Sequence, residues 1–132
     1  MAVAPYNQVR RVLQYGLSEI PPQKIWMGMA NYGYDWTLPF VAGESKAERL
    51  SNPAAEARAL RYGAVIRFDE TAQSPFYLYT DELGREHEVW FENAASWRAK
   101  LNMIPEFGLS GIGIWNVMDP FPQGIEVLNQ SV

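Results

Sequence analysis

The chain has 132 residues and a mass of 15.0 kDa, which fits one domain able to bury a core without disulfides or structural metals. Hydrophobic residues make up 48% and charged residues 20%, a globular balance that excludes global disorder. A net charge of -4 excludes a sequence-independent grip on nucleic acid, and the absence of cysteine beside a single histidine excludes thiolate chemistry and a His-rich metal site, so no metal and no cofactor is implied.

From Met1 to Asn7 there is no basic region followed by an apolar core, so no cleaved leader is predicted there. The apolar run from Ile25 to Ala30 falls far short of the ~20 residues that cross a bilayer, and no membrane segment is expected. Val9, Val12, Leu13, Leu17 and Ile20 recur at helical spacing and predict an amphipathic helix from Tyr6 to Ile20, stopped by Pro21 and Pro22. Ile25 to Ala30 lacks polar alternation, as a strand buried on both faces of a parallel sheet would. Asn31 to Trp36 follows at that strand's C-terminal end, where ligand sites gather in α/β folds.

Pro39 to Leu50 reads as loop with room for a short helix. Asn52 is the expected N-cap of a helix that runs through Tyr62 and ends at Gly63. Three β segments follow, Val65 to Phe68, Pro75 to Tyr79 and Glu86 to Phe91, the last two joined by a hairpin turn at Gly84. Asn93 caps a helix carrying Trp97, Leu101 and Ile104, which Pro105 should kink or cut short. Gly111 to Trp115 predicts a second buried strand, and Gln123 to Asn129 a short helix or an extended tail.

Several residue types bear on chemistry. Gly108, Gly111 and Gly113 enter a strand rather than follow one, so they serve turning and close packing, not phosphate binding. His87, between Glu86 and Glu88, is expected to be solvated, as are Asp69, Glu70 and Glu92, although a carboxylate pair could in principle run glycosidic acid/base chemistry. The strand ends are richer: Tyr32, Tyr34, Asp35 and Trp36 follow one strand, and Trp115, Asn116 and Asp119 follow the other. Rings flanked by Asp, Asn and Tyr groups suit the flat C–H faces and hydroxyl edges of a sugar; the same rings could equally fill the top layer of a core.

At Lys24-Ile-Trp-Met-Gly-Met-Ala-Asn-Tyr-Gly-Tyr-Asp-Trp-Thr-Leu-Pro39 the sequence resembles glycoside hydrolase family 18, the chitinase-like family, and within it the spore-germination branch of cortex-lytic N-acetylglucosaminidases. Phe68 to Phe76, His87 to Glu92 and Gly108 to Asn116 agree in order and spacing. The resemblance implies an α/β chain that is the C-terminal part of a (β/α)8 barrel, its last two strands and their helices. Residues 1–42 and 92–132 then form the barrel segment and 43–91 a small α+β insertion that walls the cleft.

The same resemblance implies roles. Trp115 matches the eighth-strand tryptophan under the sugar at the cleavage site, and Tyr32, Tyr34, Asp35, Trp36 and Asn116 line the same cleft. The family's acidic D-x-x-D-x-D-x-E motif has no counterpart among these residues, nor has its sixth-strand tyrosine motif. No catalytic residue is therefore assigned, and the chain alone is expected not to hydrolyse. The implied partner is an N-acetylglucosamine-containing glycan, peptidoglycan or chitin, in an extracytoplasmic, cell-wall or spore setting. A stand-alone carbohydrate-binding role and a non-catalytic segment are the alternatives. Two strands taken from a barrel would expose edges and an apolar face, so association with a second copy or with the rest of the barrel is expected.

Overall fold

The computed structural model describes residues 1–116 and 118–131. Helix α1 (Tyr6–Glu19) ends at the two prolines, and a single 3₁₀ turn leads into strand β1 (Trp26–Ala30). β1 pairs in parallel with β7 (Gly111–Trp115), with Trp26 opposite Gly111, Gly28 opposite Gly113 and Ala30 opposite Trp115. Between them lie β2 (Tyr32–Thr37), β3 (Glu48–Ser51), α2 (Asn52–Arg61), β4 (Arg67–Asp69), β5 (Ser74–Thr80), β6 (Glu86–Trp90), α3 (Ala94–Leu101) and α4 (Met103–Phe107); α5 (Pro122–Gln130) closes the chain. The second sheet is antiparallel, in the order β3-β2-β6-β5-β4.

Each sheet has its own core. One face of the β1–β7 pair is covered: Met27 and Met29 pack with Leu13 of α1, Trp97 of α3, Met103 of α4 and Val127 of α5. Trp97 is buried edge-on against Phe121, with centroids 4.8 Å apart, and its indole N–H donates to the Ala30 carbonyl at 3.0 Å. The other face is open, with Trp26 66% and Trp115 68% exposed. Gly111 belongs there because a Cβ on it would lie 2.8 Å from the Trp26 ring. In the antiparallel sheet, Leu50, Tyr77, Val89 and Phe91 turn to the side covered by α2, where Ala55 and Ala59 let the helix sit close. The Tyr77 hydroxyl donates to the Ala55 carbonyl at 2.7 Å.

Several expectations are corrected. Residues 32–37 form a strand rather than a loop, and β2 is the second strand of the antiparallel sheet, hydrogen-bonded on both sides. The boundary expected at residue 43 thus falls inside the β2–β3 connection, and Glu48–Ser51 is strand. Ser51, not Asn52, caps α2: its extended backbone lets Oγ accept from the Ala54 N–H at 3.2 Å. Asn52 is buried, its Oδ1 accepting from the Glu92 N–H at 2.8 Å. The strand expected at Val65 begins at Arg67, with Val65 and Ile66 exposed before it.

Asn93 does cap α3, in a reciprocal box with Ser96. Pro105 acts earlier than its own position: it has no N–H for the Leu101 carbonyl, and the helix breaks at Asn102 before α4 resumes. The C-terminal alternative resolves as helix α5.

Candidate functional site

The site candidates gather where the C-terminal ends of β1 and β7 meet the start of β2. Strand alternation sends Tyr32, Tyr34 and Trp36 to the face of the antiparallel sheet away from α2. Their half-buried rings form an edge-on ladder, 5.8 Å from Tyr32 to Tyr34 and 5.7 Å from Tyr34 to Trp36, extended by Phe40 at 5.3 Å. Across the sheet Tyr34 pairs with Trp90, which stacks on Phe76 at 4.6 Å, so the aromatic face spans three strands. Gly33 keeps β2 against β6, since a Cβ there would sit 2.4 Å from the Trp90 carbonyl oxygen.

Trp115, at the end of β7, lies beside this ladder. Asn31, buried between β1 and β2, makes the join: its backbone N–H donates to the Trp115 carbonyl at 3.2 Å, its Oδ1 accepts from the Asn116 N–H at 2.7 Å, and its Nδ2 donates to the Asn116 and Asp119 carbonyls. The Asn116 side chain is occupied locally, accepting from the Met118 N–H at 2.9 Å. Arg49 of β3 lies 4.4 Å over the Tyr32 ring and forms an ion pair with Asp119. The two sheets are therefore cross-braced where the exposed Trp115 meets Tyr32. Burial, with Tyr34 beside it, pushes the Tyr32 phenol up.

Asp35 departs from the expected placement. The same alternation that exposes Tyr34 and Trp36 turns Asp35 inward, where it is 2% exposed. Its carboxylate accepts from Arg58 Nη1 at 2.6 Å and the Tyr79 hydroxyl at 2.6 Å, and lies 2.8 Å from His87 Nδ1. Asp35 thus braces the sheet to α2 and does not join the aromatic face.

Two groups expected to be solvated are buried. His87 is 9% exposed, on the α2 side of β6 between Asp35 and Asp81. Glu92 is 1% exposed, because α3 folds back over the end of β6 and brings Ser96 and Lys100 onto its carboxylate. Glu70 stays exposed in the β4–β5 turn.

Sequence reasoning missed Asn31, Arg49, Trp90 and Phe76 as site residues. Alternation in Glu86–Trp90 and Ser74–Thr80 marks Trp90 and Phe76 for one face, but which face, and beside what, depends on strand register.

An α/β chain with an open two-stranded parallel unit, a braced antiparallel wall and exposed rings at their junction is the pattern of a carbohydrate-active scaffold. Residues 5–119 match the sequence pattern of glycosyl hydrolases family 18, and the chain belongs to that family.

Within the family it is closely related to the Bacillus spore cortex-lytic enzymes. It is 49% identical over 130 residues to the cortical fragment-lytic enzyme of Bacillus subtilis, covering 98% of this chain and 30% of that protein. The crystal structure of the Bacillus megaterium spore cortex-lytic enzyme SleL superposes with a TM-score of 0.94 at 46% identity, over 99% of this chain and 30% of that one. Human di-N-acetylchitobiase is 32% identical over 133 residues, covering 87% of this chain and 34% of that protein. The chain thus spans about a third of the length of these relatives.

Proposed function

We propose that this chain forms the sugar-binding floor and one wall of a family 18 glycosidase cleft for N-acetylglucosamine-containing glycans, and that the catalytic acid comes from outside these residues. The observation that carries the reading is the exposed Trp115 ring at the end of β7, held beside Tyr32 by Asn31 and continuous with the Tyr34, Trp36 and Trp90 face. Exposed rings rimmed by polar groups offer the flat apolar contact and hydroxyl partners that pyranose rings need. Asn116 shapes the Trp115 end through its backbone.

The relatives support the substrate class: cortical fragment-lytic and spore cortex-lytic enzymes point to peptidoglycan, and di-N-acetylchitobiase to an N-acetylglucosamine disaccharide. Of these we favour peptidoglycan, at an extracytoplasmic, spore or wall location. No acid is assigned within the chain. Glu92 is neutralised in the core by Lys100, and Glu70 lies in a turn away from the Trp115 junction in sequence and sheet order.

The architecture also supports reading β1 and β7 as neighbouring strands of a (β/α)8 barrel. They are parallel, covered by helices on one face, and unpaired at both outer edges among the described residues. An apolar groove of about 450 Å³ between α1 and β1, walled by Val9, Val12, Ile20 and Ile25, runs along one edge. A second of about 500 Å³, walled by Leu101, Ile104, Ile112 and Leu128, flanks the other. The partner that would fill them is the remainder of the barrel or a second copy, and light scattering at about 0.1 mM should find more than a monomer.

Activity is tested by release of fluorophore from N-acetylglucosamine oligosaccharides. The purified chain is expected to release none. Release abolished by Glu70→Gln or Glu92→Gln would place the acid here and overturn the assignment.

A further inference from the structure

We propose that His87 is a charged clasp: an imidazolium that fastens the tip of the β5–β6 hairpin to β2, and whose loss of a proton under alkaline conditions releases that tip. A neutral imidazole has one N–H and one lone pair, whereas a carboxylate only accepts. His87 places Nδ1 2.8 Å from Asp35 Oδ1 and Nε2 2.9 Å from Asp81 Oδ2. Either neutral tautomer would set a nitrogen lone pair against a carboxylate oxygen. The imidazolium donates to both.

The groups around the ring agree with that charge. β2 supplies Asp35, and the hairpin turn supplies Asp81, whose Oδ2 also takes Arg85 Nε at 2.9 Å. From α2, Arg58 bonds Asp35 and also Glu48 of β3. From β5, the Tyr79 ring lies parallel to the imidazole at 4.6 Å and donates its hydroxyl to Asp35, with Tyr62 stacked behind it. Farther out, Glu82 pairs with Arg61 and bonds the Tyr62 hydroxyl. Glu86 and Glu88 take the opposite side of β6 by alternation. Asp35, Asp81 and Glu48 then face Arg58 and Arg85, three negative groups against two positive, and a charged His87 balances them. Burial alone would pull the imidazole down, but Asp81 and Asp35 outweigh it and hold its pKa above the ordinary 6.5.

The clasp has something to release. The Asp81 carboxylate organises the turn, accepting from the Leu83 and Arg85 backbone N–H groups, each at 2.9 Å, so its tie to His87 anchors the turn to the sheet. His87 is the register partner of Thr37, next to Trp36 of the aromatic face. A cavity of about 220 Å³ bordered by Leu38, Leu78, Glu86 and His87 gives water a route to the ring. Because the folded pKa is raised, the clasp is complete below the unfolded value near 6.5 and is lost as pH climbs through the folded value.

His87 is the single histidine of the sequence, so a long-range ¹H–¹⁵N spectrum of the labelled chain shows one imidazole. We expect both ring nitrogens protonated at pH 7, a midpoint above 6.5, and amide exchange across Asp81–Arg85 quickening at that midpoint. Asp81→Asn should lower the midpoint by about one unit, a tenfold change in proton affinity. The wild-type titration decides the matter even if that variant fails to fold. One neutral tautomer at pH 7 or a midpoint at or below 6.5 overturns the charged clasp. A raised midpoint with unmoved hairpin amides overturns the release.

Discussion

Lys100→Met tests the buried ion pair beneath the cleft wall. Lys100 and Glu92 are each 1% exposed, and the carboxylate's other partner is the buried hydroxyl of Ser96 at 2.5 Å. Methionine approximates the lysine stem, so the packing change is small and the electrostatic change large. Removing one member of a buried pair leaves an uncompensated charge and costs about 3–5 kcal/mol, a large share of the ~5–15 kcal/mol that holds a domain folded. Burial pushes the Glu92 carboxyl up, against the opposing pull of Lys100 and Ser96, and removing Lys100 takes away the stronger opposing partner.

The sign follows. In the variant Glu92 holds its proton when folded and releases it when unfolded. Its cost is therefore smallest below the unfolded carboxylate pKa near 4.5 and grows by up to about 1.4 kcal/mol per pH unit above it, until the folded group also ionises. Urea unfolding at pH 5.5 and pH 8 should show a loss larger at pH 8. Adding Glu92→Gln should recover most of it, since two neutral groups of similar shape replace the pair. A loss below about 1 kcal/mol with no pH dependence would refute the reasoning.

Other expectations follow from the same packing. Gly124→Ala would set a Cβ 2.5 Å from the Phe121 ring and 2.9 Å from Trp97, and should cost about 1–3 kcal/mol in thermal unfolding. Gly33→Ala drives a Cβ into the Trp90 backbone and should lose the amide protection of the β2–β6 pairing, seen by hydrogen exchange, while the β1–β7 core keeps its own. The Asp81 carboxyl is held well below its usual range by His87 first, against burial, with Arg85 and Leu83 adding to the pull. Its stabilisation is complete above the unfolded value near 3.8 and is lost as pH falls toward the folded value, so Asp81→Asn should flatten the acid arm of a stability-versus-pH curve.

Local patterns were enough for α1, β1, β7, the Gly84 hairpin and the Asn93 cap, because each is dictated by neighbours a few residues away. The antiparallel wall was legible only in part. Tyr32-Gly-Tyr-Asp-Trp36 alternates with period two, as β2 requires, but its place after a buried strand suggested a loop. Asp35 could not be oriented from sequence: its partners Arg58, Tyr79 and His87 lie 23, 44 and 52 residues away and converge only once the five strands pair. His87 and Glu92 misled for the same reason, since a charged residue is solvated by default and is buried only where distant partners return to it. On the sugar face the rings themselves were identified from sequence, while Asn31 and Arg49, which brace them, emerge from the meeting of the two sheets.

The most direct measurement is a calorimetric or chemical-shift titration of the chain, and of its Trp115→Ala variant, with N-acetylglucosamine oligomers and with cortex muropeptides. Saturable binding is expected, with shifts confined to Trp115, Tyr32, Tyr34 and Trp36, and at least about tenfold weaker in the variant, the equivalent of ~1.4 kcal/mol. Unchanged affinity on loss of Trp115, or no binding by a chain whose spectra show both cores folded, would contradict the sugar-floor assignment.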